Sequence, residues 1–213
     1  MHKLNRGPAP NCLTRYQQGR NNWRELTSAD RRSIWQALDA MQGERCAYCE
    51  KEIHNSDRHI EHFVQKRRKP QLTFDWANLF GSCNQENTCG KHKDHSAGFY
   101  RDADLLKPDV DDPDDYLIFV HDGTIRPRED LNALQKQRAG ETLRVFNLDA
   151  EHGALRQMRR QAVAGYLQIA DELWSLADEY SEEEWQQLLE AELAAIKHLP
   201  FVTTIRHTLS AVG

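Results

Sequence analysis

The apolar residues near the start of the chain predict one amphipathic helix. Those that recur at helical spacing are Ile34, Trp35, Leu38 and Met41. Thr27 and Asp30 are spaced as in a capping box, and Gly43 follows the last apolar position, so both ends of the helix carry their usual signals. Residues 1–25 contain prolines and glycines without any period. They are therefore expected to form an extended arm that the rest of the protein holds in place.

Two β-hairpins are predicted from short apolar runs beside turn residues. The segment 53–64 has apolar stretches on either side of Asn55-Ser56-Asp57, which is typical of a tight turn between two strands. The segment 116–125 contains Asp122-Gly123 between an apolar, β-branched run and Ile125. We expect the first hairpin to present the chemical groups described below.

The C-terminal part of the chain has a helical apolar pattern. Apolar residues repeat every seven positions between residues 154 and 180, namely Leu155, Ala162, Ile169 and Leu176. Ser181 then provides a new helix cap. This pattern favours two antiparallel helices that pack against each other, with an intermolecular coiled coil as the alternative.

Together these elements predict an α+β fold that is mostly α. We divide the chain into an N-terminal arm (1–25), a core with the cysteines (26–107), and a connector, hairpin and helical region (108–213). Such a chain of 213 residues, 39% of them hydrophobic and 29% charged, has the composition of a globular protein. No apolar run approaches the roughly 20 residues of a membrane span, so we expect a cytoplasmic protein.

The net charge of −5 argues against a protein that is basic throughout and binds nucleic acid by charge alone. The charges are unevenly distributed, however. Residues 45–69 hold seven Lys and Arg against four acidic residues, whereas residues 171–192 hold nine acidic residues and no Lys or Arg. A local basic site therefore remains possible around residues 66–69, although such a run is also typical of a solvated loop.

Four of the five cysteines form two pairs, Cys46 with Cys49 and Cys83 with Cys89. Thiols in a reducing compartment stay free, so this spacing favours a tetrahedral Zn²⁺ site over disulfides. The second pair is separated by five residues, which requires a bulged loop. Four ordinary buried cysteines are the alternative, and Cys12 is expected to be a free thiol without a role.

The residues between and after the cysteines carry groups that could hydrolyse a phosphodiester. His62 has an ordinary pKa of about 6.5 and suits a general base. The neighbouring Glu61 offers the carboxylate oxygen that Mg²⁺ prefers, and Asn78 could fix the imidazole tautomer through a carbonyl. The second metal ligand is expected from a helix near Cys89, on which His92 and His95 share one face.

Successive residues of a strand face opposite sides, so Glu61 and His62 can meet at one site only if the strand ends or bulges there. We predict that it ends at His62. The phosphate backbone of a substrate would then be approached by nearby cations. The candidate nucleic-acid-binding residues are Lys66, Arg67, Arg68, Lys69, Lys91 and Lys93.

These motifs resemble those of the HNH endonucleases, and among them the PtuB nucleases of Septu-type anti-phage systems, which also accompany some retrons. The motifs that carry the resemblance are Cys46-Ala47-Tyr48-Cys49, Ile60-Glu61-His62-Phe63, Trp76-Ala77-Asn78-Leu79-Phe80, Cys89-Gly90-Lys91-His92-Lys93-Asp94 and Leu106-Lys107-Pro108-Asp109. They lie within about residues 1–150. The helical C-terminal part is similar only loosely.

The resemblance implies a ββα-metal core stapled by zinc, with Mg²⁺ or another divalent cation at the catalytic site. Matching the motifs residue by residue makes Glu61 a metal ligand, His62 the base and Asn78 its support. Many relatives have Asn or His where this chain has Gly90, so the last ligand must be displaced. We favour His92 over His95, with Asp94 third.

The family's biology implies partners as well. These are a PtuA-like ATPase, the nucleic-acid substrate (DNA, or RNA such as tRNA), and for retron systems a reverse transcriptase with its DNA product. The arm of residues 1–25 would be a docking element for the ATPase. A different class of function is also open: a zinc-ribbon adaptor that binds nucleic acid or a partner without catalysis. A further alternative makes the acidic C-terminal helices the main interaction surface.

Overall fold

The computed structural model describes residues 1–54, 56–176 and 179–210, and within these ranges the chain is α+β and mostly helical. Helices α1 to α7 span Ser28–Gln42, Cys89–His95, Ala133–Val145, Ala154–Ala164, Leu167–Leu176, Glu182–Ile196 and Val202–Ser210. Strands β1 to β4 span Arg58–His62, Leu79–Cys83, Leu117–Phe119 and Ile125–Pro127. The predicted α+β, mostly helical class is confirmed. None of the described helices is long and apolar enough to cross a membrane.

Helix α1 begins and ends where the sequence predicts. The Thr27 side chain accepts a hydrogen bond from the backbone N–H of Asp30, and the Asp30 carboxylate accepts one from the backbone N–H of Thr27. Gly43 stops the helix in the left-handed conformation, with φ of 60°, which glycine adopts without a Cβ clash. Ile34 and Leu38 on the inner face are fully buried.

The prediction of the first hairpin is wrong about which segments pair. Strand β1 pairs antiparallel with β2, with His62 opposite Leu79, and not with the segment around Ile53. The Cys46–Cys49 turn instead brings Glu52 opposite Arg45 in an isolated bridge. This pairing occupies the segment before β1 and leaves β1 to pair with β2. Of the predicted turn, Asn55 lies outside the described residues.

Two other strand predictions are confirmed. Strand β1 ends at His62, as the chemistry of neighbouring residues requires. Strands β3 and β4 form the second hairpin, with Phe119 opposite Ile125 around the Asp122-Gly123 turn.

The C-terminal region is more than a two-helix hairpin. The predicted long helix of residues 154–180 is broken into α4 and α5 around Gly165, a poor helix former, and its residues 177 and 178 lie outside the described part. The predicted cap at Ser181 is confirmed. Helix α7 packs against α4, α5 and α6, so their apolar faces are covered within the chain. The β-branched Thr and Val of α7 give no helical signal in the sequence.

The N-terminal arm lies against the body of the protein. The backbone N–H of Leu4 donates to the carbonyl of Pro108 (2.8 Å), and the Arg6 guanidinium contacts Asp109 and the carbonyls of Trp76 and Leu79. Short 3₁₀ turns occupy residues 11–15 and 23–25. The arm therefore contributes one wall beside β1 and β2, and its role in docking a partner stays a prediction.

Candidate metal and catalytic site

Four buried cysteines form one cluster at the end of the β1–β2 sheet. The sulfur atoms of Cys46, Cys49, Cys83 and Cys89 lie within 4.8 Å of one another. Cys46 and Cys49 come from the turn after α1, Cys83 ends β2, and Cys89 begins α2. The two pairs that the sequence indicates therefore meet at one point, and the bulge predicted for the second pair is the loop between β2 and α2.

The cluster fits Zn²⁺. A tetrahedral zinc–thiolate site has Zn–S bonds of about 2.3 Å, which places neighbouring sulfurs about 3.8 Å apart. Here the Sγ atoms of Cys49 and Cys83 are 4.0 Å apart. Burial raises the pKa of the Cys89 thiol, so a bound cation is needed to keep it ionised. The set could hold zinc, and Cys12 lies apart from it.

A small cavity of about 180 Å³ lies between β1 and α2, beside the cysteine cluster. It is lined by His59, Ile60, Glu61, His62, Lys66, Gly90, Lys91, Asp94 and His95. Because β1 ends at His62, Glu61 and His62 both reach this cavity, as the sequence required. It therefore combines carboxylates, imidazoles and ammonium groups in one place.

The Glu61 carboxylate is almost fully buried and is held by Lys93 and His59. The Lys93 ammonium lies 2.7 Å from Oε1, in an ion pair rather than a well-directed hydrogen bond, and His59 Nε2 lies 3.1 Å from Oε2. Although burial alone would raise it, the pKa of Glu61 is lowered because Lys93 and His59 favour the charged form. Glu61 is therefore an ionised oxygen donor at neutral pH.

His59 is a member of this site that the sequence analysis missed. Burial lowers its pKa, but the hydrogen bond and charge of Glu61 outweigh that effect and raise it above the usual value. The sequence could have indicated His59, because residues two apart in a strand point to the same face of the sheet. His59 precedes Glu61 by two positions.

Gly90 makes room for the Glu61 carboxylate. A Cβ at residue 90 would lie 2.5 Å from Oε2 and 2.6 Å from Cδ of Glu61. The sequence interpretation treated this glycine as a missing ligand. The structure shows a steric role for Gly90, because the Glu61 carboxylate occupies the space that a side chain at residue 90 would need.

Substituting Gly90→Ala is therefore expected to displace Glu61 from Lys93 and His59. We expect a loss of about 1–3 kcal/mol in the free energy of unfolding, measured by urea denaturation. The matched control is Gly140→Ala in α3, where a Cβ meets nothing within 4 Å. That variant should gain about 0.5–1 kcal/mol from helix propensity. A Gly90→Ala protein as stable as the parent would contradict this account of Glu61.

His62 is buried and its tautomer is fixed by the backbone. Its Nε2 lies 3.0 Å from the carbonyl oxygen of Thr73, which can only accept a hydrogen bond, so Nε2 carries the proton and Nδ1 the lone pair. The Trp23 ring from the arm packs edge-on against it, with centroids 4.4 Å apart. Burial and the nearby Lys66 lower the pKa of His62 to about 4. The imidazole is therefore neutral at pH 7.

Asn78 supports this region differently from the prediction. It does not accept the ring N–H of His62, because Thr73 does so. Instead its side-chain oxygen accepts from the backbone N–H of Val64 (2.7 Å), and its Nδ2 donates to the carbonyls of Val64 (3.0 Å) and Leu72 (3.1 Å). Asn78 thus closes the loop that carries the basic residues and leads to Thr73.

The structure does not bring the preferred final ligand, His92, to this cavity. His92 Nδ1 lies 2.9 Å from the carbonyl of Val145 in α3, and His92 is not part of the cavity. His95 and Asp94 line the cavity instead. The physical reason is how α2 packs. His92 faces the contact of α2 with α3, whereas Asp94 and His95 face the cavity.

The predicted nucleic-acid-binding residues differ in their exposure and in their contacts. Lys66 and Lys91 line the cavity, and residues 66–69 are all exposed. Arg68 is held by Asp102 and by the carbonyl of Tyr100. Lys93 is buried, and its pKa is raised because Glu61 and Asp94 outweigh the effect of burial. Lys93 is therefore a structural partner of Glu61, and the expectation that it contacts phosphate is wrong for this conformation.

The residues predicted to hold the catalytic cation do not form a closed set of ligands. Within residues 1–54, 56–176 and 179–210, only the four cysteines form a group of three or more His, Cys, Asp or Glu side chains that lie close enough to share an ion. An open site still fits the donors, because Mg²⁺ is usually held by one or two carboxylates with water and substrate phosphates. Glu61 and Asp94 are such carboxylates on one cavity.

Comparisons with known proteins agree with the motifs. The chain is 29% identical over 130 residues to the HNH endonuclease assigned to retron Vc95 of Vibrio cholerae serotype O1 biovar El Tor, covering 58% of this chain and 60% of that protein. It is 31% identical over 83 residues to the Septu protein PtuB of Bacillus thuringiensis, covering 38% of this chain and 30% of that protein. No family model matches. The chain thus spans less than two thirds of either relative, and it is similar to HNH endonucleases of the retron and Septu type.

Proposed function

We propose that this chain is a metal-dependent HNH nuclease that hydrolyses phosphodiester bonds of nucleic acid. The observation that carries the proposal is that Glu61, His62, Asp94 and His95 line one cavity beside a buried four-cysteine cluster. In this reading β1, β2 and α2 are the ββα core, and the cysteine cluster is its zinc staple. The two relatives named above support the same class.

In the proposed reaction His62 acts as the general base. Nδ1 accepts a proton from water, and the water oxygen attacks the phosphorus as the bond from phosphorus to the 3′ oxygen breaks. The products are a 5′-phosphate and a 3′-hydroxyl, which takes up a proton from solvent. A pKa near 4 is low for this task, but the negative charge of an entering phosphate favours the protonated imidazole and so raises its basicity.

Glu61 would hold the divalent cation, with Asp94 or His95 as a second donor. When bound, the cation supplies positive charge that stabilises the phosphate oxygens during attack. Lys93 keeps Glu61 ionised and in place, and Lys66 and Lys91 offer charges to neighbouring phosphates. Asn78 positions the loop behind His62 through its three backbone hydrogen bonds.

We further propose that the chain serves as a toxic effector in bacterial anti-phage defence with a PtuA-like ATPase. The support is the similarity to the Septu protein PtuB and to the retron endonuclease, which also suggests a reverse transcriptase and its DNA product as possible components. Under this proposal residues 26–107 form the nuclease core and residues 1–25 border it.

The nuclease proposal predicts cleavage that depends on a divalent cation. Supercoiled plasmid, single-stranded DNA and total tRNA are incubated with the protein in Mg²⁺, in Mn²⁺ and in EDTA, and the end groups of the products are determined. We expect products with 5′-phosphate ends in at least one substrate and none in EDTA. If the chain alone is inactive, the assay is repeated with the ATPase bound. Inactivity toward all substrates in both states would favour the zinc-ribbon adaptor.

A further inference from the structure

One large aromatic side chain near the candidate site is almost completely exposed to solvent. Phe99 is 86% exposed, more than any other large hydrophobic residue in the described part of the chain. A single exposed apolar residue is common and needs no explanation by itself. Its surroundings, however, distinguish Phe99 from the others.

The backbone around Phe99 is held firmly while the ring is left free. Arg144 donates to the carbonyl of Ala97 (2.6 Å) and to the carbonyl of Phe99 (3.1 Å). The flanking Ala97 and Tyr100 are buried, and Arg68 donates to the carbonyl of Tyr100 (2.9 Å). A ligand that covers the ring therefore does not have to order the backbone that carries it.

Phe99 borders a second small cavity of about 170 Å³ that is rich in cations. Its other lining residues are Gln65, Arg67, Arg68, Gly98 and Tyr100. The Arg68 guanidinium lies over the Tyr100 ring at 4.8 Å, and exposed Lys66 and Lys69 flank the two arginines in the chain. An aromatic ring beside a basic strip is the arrangement that holds single-stranded nucleic acid, since bases stack and phosphates pair with cations.

This second cavity adjoins the candidate catalytic cavity. Gln65 Nε2 donates to Oδ1 of Asp94 (2.9 Å), and Asp94 lines the catalytic cavity. Lys66, the next residue after Gln65, lines the catalytic cavity as well. A strand that places one phosphate beside His62 can therefore continue across the Gln65–Asp94 hydrogen bond to reach Phe99.

We propose that Phe99 stacks on an unpaired nucleobase close to the scissile phosphate, so that the substrate is a strand that is single-stranded there. This inference rests on the proposed nuclease function and narrows its substrate class. A base inside a duplex is already stacked on its neighbours and does not offer its face to a protruding ring. The basic residues beside Phe99 favour a polyanion over an apolar protein segment as the occupant.

The test measures binding without cleavage, in a His62→Ala background and without divalent cations. Fluorescence anisotropy compares Phe99→Ala, Phe99→Trp and Leu188→Ala, a control at another exposed apolar residue. The ligands are single-stranded DNA and RNA oligonucleotides and duplexes of the same sequence. We expect Phe99→Ala to weaken single-strand binding about five- to a hundredfold, while Phe99→Trp and Leu188→Ala bind as the parent does and duplex binding is unchanged.

An abasic scan of the oligonucleotide then identifies the stacked base. One abasic position should weaken binding by the protein with Phe99 but cause no further loss in Phe99→Ala, because both changes remove the same contact. Unchanged single-strand binding by Phe99→Ala would overturn the inference, as would an equal loss on single strands and duplexes. If that variant binds nucleic acid normally but no longer binds an ATPase, the ring is a protein contact. A parent protein that neither binds nor cleaves any nucleic acid would remove the proposed function itself.

Discussion

Replacing His62 by alanine is expected to abolish cleavage while the protein stays folded. The His62 imidazole lines the cavity and carries its proton on Nε2, which leaves the lone pair of Nδ1 for a water proton, and a general base typically contributes a factor of about 10²–10⁴ to the rate. The variant also leaves the carbonyl of Thr73 without its partner. We therefore expect a modest loss of stability, about 1–3 kcal/mol.

The measurement is initial cleavage rate at saturating Mg²⁺ together with zinc content and thermal unfolding. His54→Ala is the matched control, because the His54 side chain is exposed and lies outside the cavity. It should cleave at the parental rate. Cleavage by His62→Ala at the parental rate would show that another group activates the water, and the assignment of His62 would be wrong.

The second large effect is expected from loss of a cysteine ligand. Cys46→Ser should release the metal and leave the protein insoluble or unfolded. Structural zinc contributes about 10–16 kcal/mol in small zinc domains, as much as the total stability of about 5–15 kcal/mol of an ordinary protein. Cys83 ends β2 and Cys89 begins α2, so the same loss would release α2, which borders the catalytic cavity, and β2, which pairs with β1.

Cys12→Ser separates this effect from a general sensitivity to losing a buried thiol. Cys12 is buried but lies outside the cluster, so its serine variant should keep one zinc per chain and fold. Metal content by atomic absorption and solubility on expression are the readouts. A parent protein that carries no metal, or a folded Cys46→Ser protein with the parental metal content, would mean that these four cysteines are not the metal site.

The elements that the sequence predicts well are those determined by local chemistry. The capping box of α1 is one case, because Thr27 and Asp30 satisfy each other's backbone groups regardless of what lies elsewhere. The meeting of Cys46, Cys49, Cys83 and Cys89 is another, since their spacing has few other uses. The prediction that β1 ends at His62 followed from the requirement that the side chains of two neighbouring residues reach one site.

The failures concern how separate segments are placed relative to one another. The pairing of β1 with β2 and not with the segment before it depends on the turn at the first cysteine pair. The position of His92 outside the cavity depends on the contact of α2 with α3, which the residue type does not indicate. The contact of Trp23 with His62 comes from an arm without any periodic signal. Long-range packing decides each of these, and spacing along the chain does not encode it.

The most direct test of the central claim is a crystal structure of His62→Ala with a bound single-stranded oligonucleotide and Mn²⁺. We predict an anomalous manganese peak within coordinating distance of the Glu61 carboxylate, with a phosphate of the strand in the same cavity and facing residue 62. An oligonucleotide bound elsewhere, with Lys93 and His59 still the partners of Glu61 and no manganese in the cavity, would contradict the claim that these residues form a phosphodiester-cleaving site.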